Sequence, residues 1–294
     1  MRLGFFISPS DLWSRIGTAD TPRILDVRRR DAYEAATGII PASEWFDPAA
    51  GDGWMQAVDR SRPIVAACKA GHELSQMVAA TLRQQGLAAS VLAGGYAGWA
   101  EGGLPLVDKA AVSRFAPRRP SAWVTRRRPK IDRVACPWLI RRFIDAEARI
   151  LFVDPSEVPD VARESGAVPF DIEGIELSHE GPRCTFDTML KLFGLEAEPS
   201  LAHLALIVRG ADTARPDLAP EAAGLHAVSL GLSALAGDDD HALLPQGFAV
   251  YDALFAWLRF AAEERHNWPA PISGIPEIGT LNAQVGNSRL AGAA

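Results

Sequence analysis

Short apolar runs alternate with segments of helical periodicity along the first 108 residues. Residues 23–27, 63–68 and 88–95 are apolar runs bounded by turn-forming or charged residues. Between the last two, residues 75–86 repeat apolar side chains at near-helical spacing and end at Gly86. Strand, helix and strand in this order predict a βαβ unit, and hence an α/β domain with a parallel sheet over residues 1–108.

From about residue 122 the apolar periodicity becomes longer. The apolar runs at 149–154, 169–172 and 174–181 predict strands, whereas residues 155–166, 186–194, 200–212, 220–237 and 247–264 predict helices. We therefore predict a second domain over residues 132–268, of class α+β, mainly helical with a small sheet. Residues 269–294 are rich in Pro, Gly, Asn and Ala, which predicts a flexible C-terminal tail.

The composition narrows the class of protein. The chain has 294 residues and a net charge of −6, and 48% of its residues are hydrophobic. No apolar run approaches the ~20 residues that span a bilayer, and the first residues, MRLGFFISPSDLW, lack the apolar stretch of a secretory signal. We therefore expect a cytoplasmic protein with no membrane partner. The three cysteines are far apart and odd in number, which favours reduced thiols.

Residues 109–131 concentrate positive charge. They contain eight basic residues and no acidic one, together with three prolines. This pattern predicts a basic linker between the two domains. Two interpretations stay open, a solvated connector and a contact with an anion or with DNA.

Cys68 follows the second predicted strand of the first domain and precedes a predicted helix. Open α/β sheets bind ligands at the carboxyl ends of their strands. A loop bent at Gly71 can turn its N–H groups toward the sulfur, and the helix dipole also favours a thiolate. The alternative is a buried, inert cysteine. The loop residues that we expect to surround the sulfur are Lys69, Ala70, Gly71, His72, Glu73, Leu74 and Ser75.

The first 105 residues resemble a rhodanese domain. The resemblance rests on LDVRRRDAYEAATGIIPAS (25–43), on the Cys68 loop and on LAGGYAGWAEGGLPL (92–106). It implies that Cys68 carries a persulfide and that Asp26 and Arg28 form a hydrogen-bonding element near the loop. A sulfurtransferase is then the expected activity, if the chain is an enzyme.

Two features of the loop depart from the commonest sulfurtransferases of that family. Glu73 stands in the region where thiosulfate-using members commonly carry a basic residue, and this weakens the attraction for anions. The loop is also about one residue longer, which would suit a tetrahedral oxyanion better than a single sulfur atom.

Cys136 in the second domain has two interpretations. If Pro137 opens a helix, Cys136 lies at its N-terminus, and Arg133 and Arg141 favour a thiolate there. If the helix begins near Asp132, Cys136 only packs in the core. Both remain open from the residues alone.

A group of side chains further along could hold a divalent metal ion. His179, Cys184, Asp187 and Asp212 carry imidazole, thiolate and carboxylate groups, which bind such ions when three or four converge. Their spacing matches no strong metal motif. The alternatives are a hydrogen-bonded surface histidine and an aspartate that complements a helix dipole.

The second half resembles the ChrB-type chromate-resistance proteins. The resemblance covers about residues 122–262 and includes WVTRRRPKIDRVACPWLIRRFID (123–145), FDIEGIELSHEGPRCTFDTML (170–190) and residues 207–233. A rhodanese-like first half is a known arrangement in that family. The resemblance implies a role in chromate resistance, and some members are chromate-responsive regulators.

These observations lead to one main hypothesis. The chain is a cytoplasmic chromate-resistance protein whose first domain uses the Cys68 thiolate for sulfur transfer, or binds chromate or a sulfur-containing oxyanion. The alternatives are a chromate-responsive regulator that binds DNA, and a metal-dependent enzyme centred on the second domain. The oligomeric state is left open, a homo-oligomer included.

Overall fold

The predicted N-terminal strands form a five-stranded parallel sheet in the computed structural model, which describes residues 4–51, 53, 55 and 61–264. The strand order is β1-β6-β5-β2-β4, and every neighbouring pair is parallel. The strands are β1 (Phe6–Ile7), β2 (Arg23–Asp26), β4 (Ser43–Trp45), β5 (Ile64–Ala67) and β6 (Ala89–Leu92). The α/β class predicted for this half is confirmed.

Helices cover this sheet. They are α1 (Pro9–Trp13), α2 (Arg30–Ala35), α3 (Glu73–Gln84) and α4 (Gly95–Glu101). Helix α3 buries Val78, Ala79 and Leu82, the apolar stripe that its sequence predicts. A short antiparallel pair, β3 (Gly38–Ile39) with β7 (Val107–Asp108), closes this region.

A second parallel sheet of three strands has the order β10-β8-β9. Its strands are β8 (Ala122–Arg126), β9 (Arg149–Val153) and β10 (Val168–Pro169). The helices of this half are α6 (Asp132–Leu139), α7 (Val158–Ser165), α8 (Thr185–Leu192), α9 (Pro199–Asp212), α10 (Ala222–Ala236) and α11 (Asp240–Phe260), with a π-helical segment at Ile140–Ile144 after α6. The prediction of a mainly helical region with a small sheet is confirmed.

The segment predicted as a basic linker differs from that prediction. Residues 109–131 contain helix α5 (Lys109–Phe115) and β8, the central strand of the second sheet. Val112, Phe115 and Trp123 are buried there. The many arginines and prolines hide these apolar positions in the sequence, and burial of the apolar side chains determines the structure.

The strand predicted over residues 174–181 is also wrong. These residues form turns and bends, apart from an isolated bridge between Glu180 and Arg183. Gly174 and Gly181, the first and last residues of this stretch, both have positive φ, so extended backbone does not continue through either end. The alternation of apolar and polar residues therefore misleads here, and His179 lies on a loop.

One hydrophobic core joins the two halves. Its buried cluster runs from Ile7 and Trp99 to Trp123 and Phe255. The Trp13 ring makes edge contacts with Trp99, Phe143 and Phe255 at centroid distances of 6.2–6.5 Å. The described residues of the two predicted halves therefore pack as one unit, which ends at Phe260.

The flexible tail predicted over residues 269–294 lies outside the described residues. Among the helices of the described part, none is long and apolar enough to cross a membrane.

A buried ion pair lies beneath the carboxyl end of the first sheet. Arg28 and Asp26 are 1% and 2% exposed, and the guanidinium donates to both carboxylate oxygens at 2.6–2.9 Å. The Arg28 guanidinium also lies 3.8 Å from the centroid of the Tyr96 ring. A charge this deeply buried depends on its partner.

We predict that Asp26→Asn lowers the free energy of unfolding by about 3 kcal/mol, because it leaves the Arg28 charge buried without a counter-charge. Urea denaturation measures the difference. The matched control is Arg30→Gln, which breaks the ion pair between Arg30 and Asp47. The Arg30 side chain is 60% exposed, so this pair lies at the surface. This control should leave the unfolding curve unchanged. Equal effects of the two substitutions would contradict the prediction.

Candidate functional site

The Cys68 sulfur lies where β5 gives way to helix α3. Cys68 is 7% exposed, and the backbone N–H groups of Ala70, His72 and Ser75 hydrogen-bond to its sulfur. The Ser75 hydroxyl lies 3.2 Å from Sγ and donates to it. The sequence predicts this ring of amides from the strand-to-helix junction.

These hydrogen bonds control the ionisation of Cys68. Burial raises the pKa of the thiol, but the hydrogen bonds from Ser75, Ala70 and His72 lower it by more. The pKa of Cys68 is therefore below that of an ordinary thiol, and more of the group is thiolate at neutral pH.

Two glycines fix the loop from behind. Gly95 has a φ of +58°, and a Cβ there would collide with the Cys68 carbonyl oxygen and the Gly71 amide. Gly71 has a φ of +71°, and a Cβ there would come within 2.6 Å of the Leu92 carbonyl oxygen. The amides of α4 complete the support, because Tyr96 N–H donates to the Cys68 carbonyl at 2.9 Å and Ala97 N–H to that of Lys69 at 2.8 Å. The carbonyls are thus held on the side of α4.

The remaining loop residues predicted from the sequence differ in their exposure to solvent. Lys69, His72 and Glu73 are exposed, and Leu74 is half-buried. Glu73 is the first residue of α3. Arg28 stacks on Tyr96, whose backbone supports the loop, so the Asp26–Arg28 pair holds the loop in place from inside the protein.

A second group of polar side chains meets at the carboxyl edge of the small sheet. We call Asp132, Asp171, His179 and Asp212 the Asp/His cluster. His179 Nε2 lies 3.4 Å from an oxygen of Asp132, 3.5 Å from one of Asp171 and 3.4 Å from one of Asp212. Asp132 and Asp171 are 2% and 3% exposed.

The Asp/His cluster is built from four separate segments. Asp132 is the first residue of α6, and Asp212 is the last residue of α9. Asp171 follows β10, and His179 comes from the loop before α8. Thr185, at the start of α8, donates its N–H to Asp132 and its hydroxyl to Asp171, at 3.2 and 3.0 Å.

Crowded carboxylates shift the ionisation of this cluster. Burial, followed by the charges of Asp132 and Asp171, raises the pKa of Asp212 to about 7. Burial and Asp132 also raise the pKa of Asp171. A hydrogen bond to Asp132 raises the pKa of His179. The cluster therefore concentrates negative charge around one imidazole.

Two arginines form ion pairs with the cluster at Asp171. Arg126 and Arg133 contact the same oxygen of Asp171, at 2.8 and 3.1 Å. Burial lowers the pKa of Arg133. Arg141, the other arginine predicted for this region, donates instead to the Ala148 carbonyl at 2.9 Å.

The two remaining metal candidates of the sequence have other partners. Cys184 is the N-cap of α8 and forms a capping box with Asp187. Asp187 accepts two hydrogen bonds from Arg209, at 2.7 and 3.0 Å. Of the four predicted ligands, the structure brings His179 and Asp212 together, while Cys184 and Asp187 cap a helix.

Cys136 lies inside α6, because this helix begins at Asp132 and includes Pro137. Cys136 and Cys184 are both 0% exposed. Burial, followed by the Asp132 charge, raises the pKa of each thiol well above its ordinary value. The geometry agrees with the interpretation in which Cys136 packs in the core.

Asp132 and Asp171 were missed from the sequence. Asp132 has a weak signal, since an acidic residue in the first turn is typical of helix N-termini and suggests no site. The one signal for Asp171 in the sequence is its position after a short apolar run. Their separation along the chain hides their contact with His179.

Part of the basic segment lines a cavity of about 500 Å³. Its arginines are Arg114, Arg118 and Arg149, and its lining contains no acidic residue. Arg114 is engaged by Glu176. Arg114 and Arg118 of the basic segment therefore lie in the lining of this cavity.

Comparison with known proteins gives a family-model match in each half of the chain. The family model of the ChrB C-terminal domain matches residues 123–258, and that of the rhodanese-like domain matches residues 8–102. Protein ChrB of Cupriavidus metallidurans is 39% identical over 134 residues, which are 45% of this chain and 39% of that protein. The chain thus matches well under half the length of this relative.

Two solved structures resemble the first half. A rhodanese-related protein of Thermoplasma volcanium is 25% identical over 35% of this chain and 98% of that chain, with a TM-score of 0.32. A rhodanese-like domain protein of Staphylococcus aureus is 22% identical over 33% of this chain and 91% of that chain, with a TM-score of 0.29. From the family models, the chain carries a rhodanese-like domain followed by a ChrB C-terminal domain.

Proposed function

We propose that this chain is a cytoplasmic chromate-resistance protein whose rhodanese-like domain transfers sulfane sulfur through Cys68. The observation that carries the proposal is the Cys68 sulfur, which receives three backbone N–H groups and the Ser75 hydroxyl. A reducing compartment would keep the three free thiols reduced. The match to a ChrB C-terminal domain supports the link to chromate.

The reaction would proceed in two displacements. The Cys68 thiolate attacks the outer sulfur of a donor such as thiosulfate, the sulfur–sulfur bond of the donor breaks, and sulfite leaves with the electron pair. Cys68 is then a persulfide with a terminal anionic sulfur. An acceptor thiolate or cyanide attacks that terminal sulfur, and the Cys68 thiolate returns as the leaving group.

The loop amides would act on the leaving and attacking sulfur. Their N–H groups stabilise negative charge where it forms, and they need no reorientation because α4 holds the loop carbonyls on its other side. The same amides would attract a tetrahedral dianion, since chromate and thiosulfate share shape and charge. Oxyanion binding at this loop would then compete with sulfur transfer.

The charges around the loop would set the choice of donor. Lys69 and Glu73 are both exposed and opposite in sign, so they contribute little net attraction for a dianion. We therefore expect thiosulfate to be a weak donor relative to a persulfide of lower charge.

We expect Cys68→Ser to abolish persulfide formation, because a serine hydroxyl does not attack sulfane sulfur at neutral pH. Intact-protein mass spectrometry after incubation with thiosulfate or a small-molecule persulfide measures the added sulfur atom. Cys184→Ser is the matched control, since it removes a thiol that caps a helix and serine caps helices well. Added sulfur on the Cys68→Ser protein, or its absence from the parent, would sink the proposal.

The Ser75 hydroxyl should set the reactivity of Cys68 across pH. Ser75→Ala removes a donor to the thiolate, so the pKa of Cys68 should rise and the alkylation rate at pH 7 should fall. At a pH above the pKa of both proteins, the two rates should converge. Iodoacetamide labelling between pH 5 and 10 gives the midpoints, and the buried Cys136 and Cys184 should remain unlabelled in the folded protein.

Ser113→Ala is the matched control for this experiment, because the Ser113 hydroxyl donates to a carbonyl of its own helix α5. Its labelling profile should equal that of the parent. A Cys68 midpoint that does not move in Ser75→Ala would show that the hydroxyl plays no part in holding the thiolate.

Reversing the charge of Glu73 should improve the use of thiosulfate. Glu73→Arg replaces a repulsive charge with an attractive one at the start of α3, and we expect kcat/KM for thiosulfate to rise about tenfold at low salt. Steady-state assays with cyanide as acceptor measure it. Glu164→Arg changes the net charge equally on α7 and should have little effect. Equal gains from both variants would indicate a general charge effect.

A further inference from the structure

The Asp/His cluster has a geometry that hydrogen bonding alone does not explain. His179 Nε2 is nearly equidistant from oxygens of Asp132, Asp171 and Asp212, at 3.4, 3.5 and 3.4 Å. A normal N–H···O hydrogen bond is about 2.9 Å long, and one N–H points at one acceptor. The imidazole nitrogen therefore faces the space between the carboxylates.

This spacing equals that of donor atoms around a small metal ion. Ligand atoms about 2.1 Å from an ion stand about 3.4 Å apart along the edges of a tetrahedron and about 3.0 Å apart along those of an octahedron. One ligand atom each from Asp132, His179 and Asp212 lies within 4.8 Å of the other two. The three atoms can share one ion with small adjustments of their side chains.

The carboxylates of the cluster differ in the cations that lie close to them. Among the described residues, the ion-pair partner of Asp132 and of Asp212 within 4 Å is His179 alone. Asp171 differs, because Arg126 and Arg133 already balance its charge. In the described part of the chain, Asp132, which is 2% exposed, and Asp212 therefore have no arginine or lysine within 4 Å, and the charge of Arg133 acts on them only from further away.

The ligand atoms are held in place by neighbouring groups. The Thr185 N–H donates to Asp132, and the backbone N–H of Asp132 donates to the Asp212 carboxylate. Such outer contacts orient ligands in metal sites and raise metal affinity. The side chains are thus arranged before any ion binds.

We propose that Asp132, His179 and Asp212 form a site for a divalent zinc-type ion in the ChrB C-terminal domain. Three protein ligands leave a fourth position, as in zinc sites that act on a bound water or substrate. The His179 side chain is 42% exposed, so this position is open to solvent from its side. Asp171 contacts the His179 imidazole and forms ion pairs with Arg126 and Arg133, so it positions the imidazole without serving as a ligand.

The donor set favours zinc over the alkaline-earth ions. An imidazole nitrogen with two carboxylates suits zinc and other first-row transition metals, whereas Mg²⁺ and Ca²⁺ prefer oxygen ligands only. The thiols take no part, because Cys184 caps α8 with Asp187 and Cys136 is buried inside α6.

The test uses the full-length chain after treatment with EDTA and removal of the chelator. Isothermal titration with Zn²⁺ should show one equivalent bound, and Mg²⁺ at the same concentrations should show none. Asp212→Asn and His179→Gln should each weaken Zn²⁺ binding at least about a hundredfold. Asp160→Asn, an equal charge change at an exposed residue of α7, should bind Zn²⁺ as the parent does.

Co²⁺ substitution identifies the ligands independently of affinity. The Co²⁺ protein should show visible bands of a low-coordinate site and no near-ultraviolet thiolate-to-metal band. Cys184→Ser should leave this spectrum unchanged. A thiolate band would overturn the proposed ligand set.

Thermal unfolding guards against variants that lose the fold. Without metal, Asp212→Asn should unfold at or above the temperature of the parent, because it removes a crowded carboxylate. With Zn²⁺, the parent should gain stability and Asp212→Asn should not. A parent that binds no Zn²⁺, or an Asp212→Asn protein that binds it equally well, overturns the proposal. Neither result touches sulfur transfer at Cys68.

Discussion

Parallel strand pairing is the constraint on which both candidate sites depend. Parallel strands end at the same edge of a sheet, so the segments that follow them are brought together there. In the first sheet, β2 and β5 are neighbours, so the Asp26–Arg28 element and the Cys68 loop emerge side by side. In the second sheet, β8 and β10 are neighbours, so the Arg126 end of one strand meets Asp171 beyond the other. The reactive and charged side chains of both candidate sites therefore lie at the carboxyl edges of two parallel sheets.

The two sites handle negative charge in opposite ways. At Cys68, neutral backbone amides and one hydroxyl stabilise a single anion, and the nearby Arg28 is neutralised by Asp26. In the Asp/His cluster, burial, followed by the charges of Asp132 and Asp171, raises the pKa of Asp212 to about 7. The first arrangement suits a nucleophile that must form and leave as an anion. The second suits a cation from outside the chain.

Local chemistry was predictable from the sequence, whereas contacts between distant segments were not. The Cys68 loop is one stretch of chain between a strand and a helix, so its amide ring follows from short-range rules and from the family signature. Asp132, Asp171, His179 and Asp212 come from four segments, and their meeting depends on how α6, α8 and α9 pack. The sequence therefore suggested His179 and Asp212 but paired them with Cys184 and Asp187, which are close along the chain and cap a helix instead.

Composition misled where it outweighed a few apolar positions. The eight basic residues of 109–131 predicted a connector, yet Trp123 and Val124 are 0% exposed in the central strand of the second sheet. Two fully buried side chains outweigh a surface rich in arginine, because an arginine can keep its charged end in water while its stem covers the core. The alternation of 174–181 also misled, since the stretch lies between two glycines with positive φ and supplies no strand to the sheets of the described residues.

The shared core bears on how the two sites relate. Trp13 of the rhodanese-like domain packs on Phe143 and Phe255 of the ChrB C-terminal domain, and Arg259 donates to the carbonyls of Trp13 and Ile16. Burial of this kind couples the stability of the halves, because neither can expose these aromatic faces to water without loss of apolar contact. A ligand that stabilises one edge therefore stabilises the unit that presents the other. The Cys68 loop and the Asp/His cluster are thus connected through the packing of the shared hydrophobic core.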